Sequence, residues 1–194
     1  LGLCTAAATW DPPSATDNCG VLSFESTHDS GDVFPVGTTQ VTLTATDNHF
    51  NITTSTFNVV VTDTQAPAII GMPEDIQLGS EAGLCSALAT WIEPTGEDNC
   101  GVQSLLSSHD PDTYFDVGTT EVTITLTDIH GNTTEDVMLV TVTDVEDPLI
   151  INLPERITIP TEPGICEGTT SWEDPDTSDN CGVATLEVSV ESGS

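Results

Sequence analysis

Apolar and polar side chains alternate along this chain with a period of two. Val41, Leu43 and Ala45 alternate with Thr42, Thr44 and Thr46, and Val122, Ile124 and Leu126 alternate with Thr123, Thr125 and Thr127. The same pattern runs through Phe57, Val59 and Val61, through Met138, Val140 and Val142, and through Ala87, Ala89 and Trp91. Successive side chains of a strand point to opposite faces, so each run predicts a strand with one face buried. No helical period competes with it. Six or seven short strands per unit, broken by Pro, Gly, Asn and Asp turns, predict an all-β fold: an antiparallel β-sandwich of immunoglobulin type.

The unit is a repeat of 81 residues. Cys4, Cys85 and Cys166 share that spacing, as do Cys19, Cys100 and Cys181, and Trp10, Trp91 and Trp172. Residues 4–63 laid on 85–144 without a gap give 32 identities in 60 positions, which chance does not supply. Turns rich in Asp and Pro mark the joints at Thr62–Pro67 and Thr143–Pro148, where Pro holds the preceding residue extended. Residues 64–144 then form a complete repeat, 1–63 a partial one lacking its first strand, and 145–194 a partial one lacking its closing strands. Such ends suit either a window from a longer tandem array or a subunit whose tail completes the next by strand donation. Tail and head overlap across the Cys-Trp-Cys segment, which favours the window. In each repeat the tryptophan is expected to pack in the core.

Charge narrows the choice of partners. The 194 residues carry 32 acidic groups against one basic residue, Arg156, for a formal net charge of -31. Nucleic acid and anionic membrane surfaces both require Lys and Arg clusters, so neither is an expected partner. Hydrophobic residues reach 37% and aromatic residues only 5%, yet the regular alternation argues against disorder. No run approaches the roughly 18 apolar residues of a membrane span. The opening at Leu1, without Met or a basic leader, reads as a processed or excised segment.

Two cysteines 15 residues apart bracket the tryptophan in each unit. In an acidic, lysine-free chain this spacing predicts disulfides Cys4 to Cys19, Cys85 to Cys100 and Cys166 to Cys181, and with them an oxidising extracellular compartment. Zinc is disfavoured, since no His stands at ligand spacing. Oxygen ligands suited to Ca2+ recur in three groups. Asp47 and Asn51 correspond to Asp128 and Asn132; Asp17 and Asn18 correspond to Asp98 and Asn99 and to Asp179 and Asn180; the joints supply Asp63, then Asp144, Glu146 and Asp147. These residues are candidate Ca2+ ligands, and they are equally the ordinary residues of turns. Ser26, His28 and Asp29, like Ser107, His109 and Asp110, hold hydrolase residue types, but on one short segment they cannot converge as a triad does. Catalytic motifs are lacking, so no enzymatic activity and no organic cofactor is expected. Asn51 and Asn132 also match the N-glycosylation acceptor pattern.

Taken together, the joints, the Cys85–Trp91 segment, Thr16–Gly20, Phe34–Thr39, and Thr46-Asp47 followed by Asn51 resemble the hyalin repeat, the HYR domain. The resemblance covers essentially the whole chain. It implies an immunoglobulin-like extracellular module, found in tandem in adhesive and matrix proteins of animals and in large surface proteins of bacteria, and it implies that the 15-residue cysteine pair is a disulfide. Many such repeats carry a second cysteine pair, which this chain lacks: Met72 and Leu153 occupy the first position, and residues 54–58 and 135–139 contain no Cys.

The function expected from these features is a non-catalytic, extracellular or cell-surface structural array that forms or extends a fibre, appendage or matrix, with Ca2+ at the joints. Its partners would be neighbouring repeats and identical chains. The alternatives are an adhesin stalk or binding module recognising a glycan or protein through loop aromatics such as Phe50 and Tyr114, and an accessory domain of a larger secreted protein.

Overall fold

The computed structural model describes residues 2–183 and 185–189 and holds no helix among them. The first repeat contributes β1 (Thr5–Ala7), β2 (Val21–Ser26), β3 (Val33–Pro35), β4 (Gly37–Asp47) and β5 (Ile52–Val61). The second repeat runs from β6 (Ala68–Ile70) and β7 (Ile76–Gly79) through β8 (Ser86–Ala89), β9 (Thr95–Glu97), β10 (Val102–Ser107) and β11 (Thr113–Asp116) to β12 (Gly118–Asp128) and β13 (Thr133–Thr143). Beyond it lie β14 (Leu149–Ile151) and β15 (Asp176–Ser178). The second repeat thus has eight strands where the alternation suggested six or seven. Part of the difference is Gly118, whose φ of 132° breaks one run into β11 and β12.

The fold is all-β. Strands β2, β4 and β5 form one sheet, and β10, β12, β13 and β7 form the corresponding sheet with a fourth member. Strand β13 pairs with β7 in parallel, Val140 opposite Ile76 and Val142 opposite Leu78, whereas the other registered pairs are antiparallel. Small two-stranded ribbons, β1 with β3, β8 with β11, β6 with β9 and β14 with β15, complete the set. By compactness the chain divides into two units, Leu1–Gly71 with Pro94–Leu106 and Ile124–Asp136, and Met72–Glu93 with Ser107–Thr123 and Val137–Ser194. Both draw on residues 64–144, so these units cut across the sequence repeat.

In the first unit the apolar core is Phe34, Val41, Ile124 and Leu126; in the second it is Ala87, Ala89, Phe115, Val122, Met138, Val140 and Val142. Every other residue of β12 from Val122 to Asp128 is buried, as the alternation predicts, while in β4 only Val41 is. One cause is local. Gly96 of β9 lies directly over Leu126, so that a Cβ there would fall far inside contact with the leucine methyls. The tryptophans are half-buried. The Trp10 ring meets Phe57 edge-on at 5.2 Å and Phe34 at 6.1 Å, and Trp91 lies 6.1 Å from Phe115.

The cysteine pairing differs from the expected one. Cys4 bonds to Cys100 and Cys85 to Cys181, each across 96 residues, and Cys19 and Cys166 are exposed and unbonded. The pairs Cys4 to Cys19, Cys85 to Cys100 and Cys166 to Cys181 are therefore not formed. The reason is visible in the strands: β8 pairs with β11 and β9 pairs with β6, so no hairpin folds the 85–100 segment back on itself. The first cysteine of a unit instead meets the second cysteine of the next. Positions 96 residues before Cys19 or after Cys166 fall outside residues 1–194.

Candidate metal site at the first joint

Three acidic groups picked out by recurrence converge in the first unit. Asp63 at the joint, Asp98 of the Asp-Asn-Cys-Gly turn and Asp128 at the end of β12 bring carboxylate oxygens within 4.8 Å of one another. Each is held by local hydrogen bonds that follow from its sequence context. Asp128 opens the β12–β13 hairpin loop, where its Oδ1 accepts from the backbone amides of His130 (2.8 Å) and Asn132 (2.9 Å) and its Oδ2 from the Asn132 amide at 2.7 Å. Asp47 repeats this pattern with His49 and Asn51. The Asp-x-His-x-Asn motif is thus a turn built around one carboxylate.

Asp98 Oδ1 accepts from the amides of Cys100 and Gly101, at 2.8 and 3.0 Å. The same Asx turn forms at Asp17 with Cys19 and at Asp179 with Cys181. Its other oxygen is the unusual one. Asp98 Oδ2 and Asn99 Oδ1 are buried with no hydrogen-bond partner, and their counterparts Asp179 Oδ2 and Asn180 Oδ1 repeat the feature. Asp17 and Asn18 are exposed. Asp63 accepts from the Gln65 amide at 3.1 Å through Oδ1 and faces His130 Nδ1 at 3.2 Å through Oδ2, while the Asn132 amide reaches the Asp63 carbonyl at 3.4 Å. His130 lies inside the recurring Asp128–Asn132 segment, as His49 does in the first repeat, but is not among the candidate ligands expected from it. Cys100 also lies beside Asp63 and His130, but its sulfur is bonded to Cys4 and offers no thiolate.

At the second joint the groups are more dispersed. Asp144 Oδ1 accepts from the Ser80 hydroxyl at 3.2 Å and the Glu146 amide at 3.1 Å; Glu146 Oε2 takes the Gly83 amide at 2.7 Å; Asp147 is exposed. At the glycosylation pattern, the Nδ2 atoms of Asn51 and Asn132 each donate 2.7 Å bonds to Asp47 and Asp128, and a glycan there would replace one of the two hydrogens on that nitrogen. The Ser26 and Ser107 hydroxyls donate to the carbonyls of His28 and His109, whose rings lie on Phe34 and Phe115, so these groups hold turns. Phe50, at φ 66°, is 76% exposed, and Tyr114 is 57% exposed with its hydroxyl on Glu81.

Burial alone would raise the pKa of Asp128, but the Asn132 side chain and the backbone amides of Asn132, His130 and Gly131 outweigh it and hold the group below the ordinary 3.8. Asp47 is also lowered, chiefly by the Asn51 side chain. A depressed carboxylate pKa contributes stability that is present above the unfolded-state value and is lost as pH falls through the folded one. Acidification also relieves the repulsion of a chain at -31, so a difference measurement is needed. The melting-temperature gap between the unaltered chain and Asp128→Asn is expected to be wide at about pH 6 and to close toward about pH 3. A gap independent of pH would show that the carboxylate charge is irrelevant.

Comparison with known proteins agrees with this architecture. The HYR domain model matches residues 1–61 and again residues 62–142. Hyalin of Lytechinus variegatus is 35% identical over 193 residues, covering 96% of this chain and 36% of that protein. Hyalin of Strongylocentrotus purpuratus is 38% identical over 138 residues, covering 69% of this chain and 12% of that protein. The Sushi, von Willebrand factor type A, EGF and pentraxin domain-containing protein 1 of Rattus norvegicus is 34% identical over 134 residues, 66% of this chain and 4% of its own length. The chain thus spans at most 36% of the length of these relatives. With two tandem matches over most of its length, the chain belongs to the HYR domain family.

Proposed function

We propose that the chain is a non-catalytic, extracellular structural array that extends a fibre, surface appendage or matrix, with Ca2+ held at its joint. The observation that carries this reading is tandem repetition: two consecutive HYR domain matches on an 81-residue register. Stacked copies multiply reach and contact surface, whereas a catalyst gains little from them. Strands β12 and β13, at 11 residues and roughly 3.3 Å per residue, give each repeat a length of about 35 Å. Disulfide bonding supports an oxidising, extracellular setting, as do relatives named hyalin. Neighbouring repeats and identical chains are the natural partners, and a charge of -31 makes close approach of chains dependent on cations.

The donor set at the first joint suits Ca2+. That ion takes six to eight oxygens, and Asp63, Asp98 and Asp128 supply carboxylates within one small volume, with the buried Asp98 Oδ2 left unsatisfied by protein donors. An acceptor with no donor to face is satisfied by a cation. Thermal melts of residues 1–194 in chelator and in millimolar Ca2+, at matched ionic strength, test the reading. An ion at a hundred times its dissociation constant adds about 2.7 kcal/mol, which is several degrees of melting temperature. Asp98→Asn is expected to abolish the gain. Identical melts with and without Ca2+ would remove the ion from the proposal and leave the array to its covalent links.

A further inference from the structure

The order of the bonded cysteines along the chain is 4, 85, 100, 181, and the bonds join 4 to 100 and 85 to 181, so the two closed loops interlock over residues 85–100. This changes which part of the chain carries tension. A pull applied outside Cys4 and Cys181 enters at Cys4, crosses to Cys100, runs backward along the chain to Cys85, and crosses to Cys181. Residues 5–84 and 101–180 lie off that path. They contain the long hairpins β4–β5 and β12–β13 and two of the three joint carboxylates, Asp63 and Asp128, whereas Asp98 lies on the loaded segment. The segment under load is the short one holding β8 and β9, which pair with β11 and β6 and not with each other.

We infer that the disulfides make this array a tether of fixed maximum length, in which load bypasses most of each repeat and sheet rupture cannot lengthen it beyond the covalent path. The magnitudes follow from the reach of an extended chain. Between Cys4 and Cys181 the backbone spans 177 residue steps, which at about 3.5 Å each extend to about 600 Å. Along the disulfide path the same two points are separated by 15 residue steps, about 50 Å at the same reach, plus two bridges with Cα atoms 4.8 Å apart. The maximum extension falls about tenfold. Pairing within each repeat would act differently: it would remove only three 15-residue loops and leave the remaining chain free to lengthen. Extension is limited here because each bond joins the first cysteine of one repeat to the second cysteine of the next.

The inference rests on the covalent path and not on the ion, so its failure and that of the Ca2+ reading are separable. The experiment stretches oxidised residues 1–194 between handles at the two termini, in a force instrument, in chelator and then in denaturant. After unfolding, the oxidised chain is expected to reach about 120 Å, the disulfide path plus its two tails, and to gain more than 500 Å when a reductant is added. Cys19→Ser is expected to leave the oxidised limit unchanged. Cys100→Ser, which opens the first bridge and keeps the second, is expected to add roughly 230 Å. Because the limit is covalent, it holds whether or not a variant folds stably. Oxidised extension beyond about 400 Å, or equal limits for Cys100→Ser and the unaltered chain, would overturn the inference.

Discussion

Replacing Cys4 with serine is expected to destabilise the oxidised chain by about 4 to 5 kcal/mol, while the same change at Cys19 leaves stability within about 0.5 kcal/mol. The asymmetry comes from loop length. The Cys4–Cys100 bond closes 96 residues, and in the chain-entropy account a loop of that size restricts the unfolded ensemble far more than a short one. Cys4 is half-buried and bonded, whereas Cys19 is exposed and bonded to nothing. Chemical denaturation under non-reducing conditions reads the difference, which amounts to about 10 to 15 °C for a chain of this size. A 15-residue loop between Cys4 and Cys19 would instead give the two substitutions the same effect, about 3 kcal/mol each. Equal losses would therefore discard the observed pairing.

The cysteines also show what a single sequence conveys and what it withholds. Spacing along the chain is explicit, and the 81-residue register placed the strand runs and the recurrent Asp turns where the structure has them. Neighbourhood in space is not explicit. The partner of Cys4 depends on β8 pairing with β11 and β9 with β6, relations between segments that alternation cannot order. Period two likewise carries no direction, so the parallel pairing of β13 with β7 leaves no trace in the pattern. The joint cluster was half legible. Asp63, Asp98 and Asp128 each stood out by recurrence, but their convergence and the approach of His130 to Asp63 required the fold. Tryptophan was read as core from its strand position; the half-buried rings of Trp10 and Trp91 show that strands this short leave a large ring partly at the margin.

The second large effect is expected where the two repeats differ in side-chain volume at a shared position. Leu126 is fully buried under Gly96, and the corresponding residues of the first repeat are Ala45 and Ala15, both lining a cleft of about 420 Å³. One repeat pairs a large residue with none, and the other pairs two small ones. Leu126→Ala alone is expected to cost 2 to about 5 kcal/mol, because the site loses its packing and retains a cavity. Gly96→Ala alone is expected to cost about 1 to 3 kcal/mol, because the new methyl meets leucine methyls that the surrounding core holds in place. Gly96 does not have a positive φ, so alanine brings no backbone strain of its own. The double substitution recreates the alanine pair of the first repeat: the methyl of residue 96 enters the space that Leu126 vacates. A double-mutant cycle read by chemical denaturation is therefore expected to show about 1 to 2 kcal/mol of favourable coupling. Additivity within about 0.5 kcal/mol would mean that β9 shifts away from β12 instead of packing against it, and that the burial of alternate β12 residues has another cause.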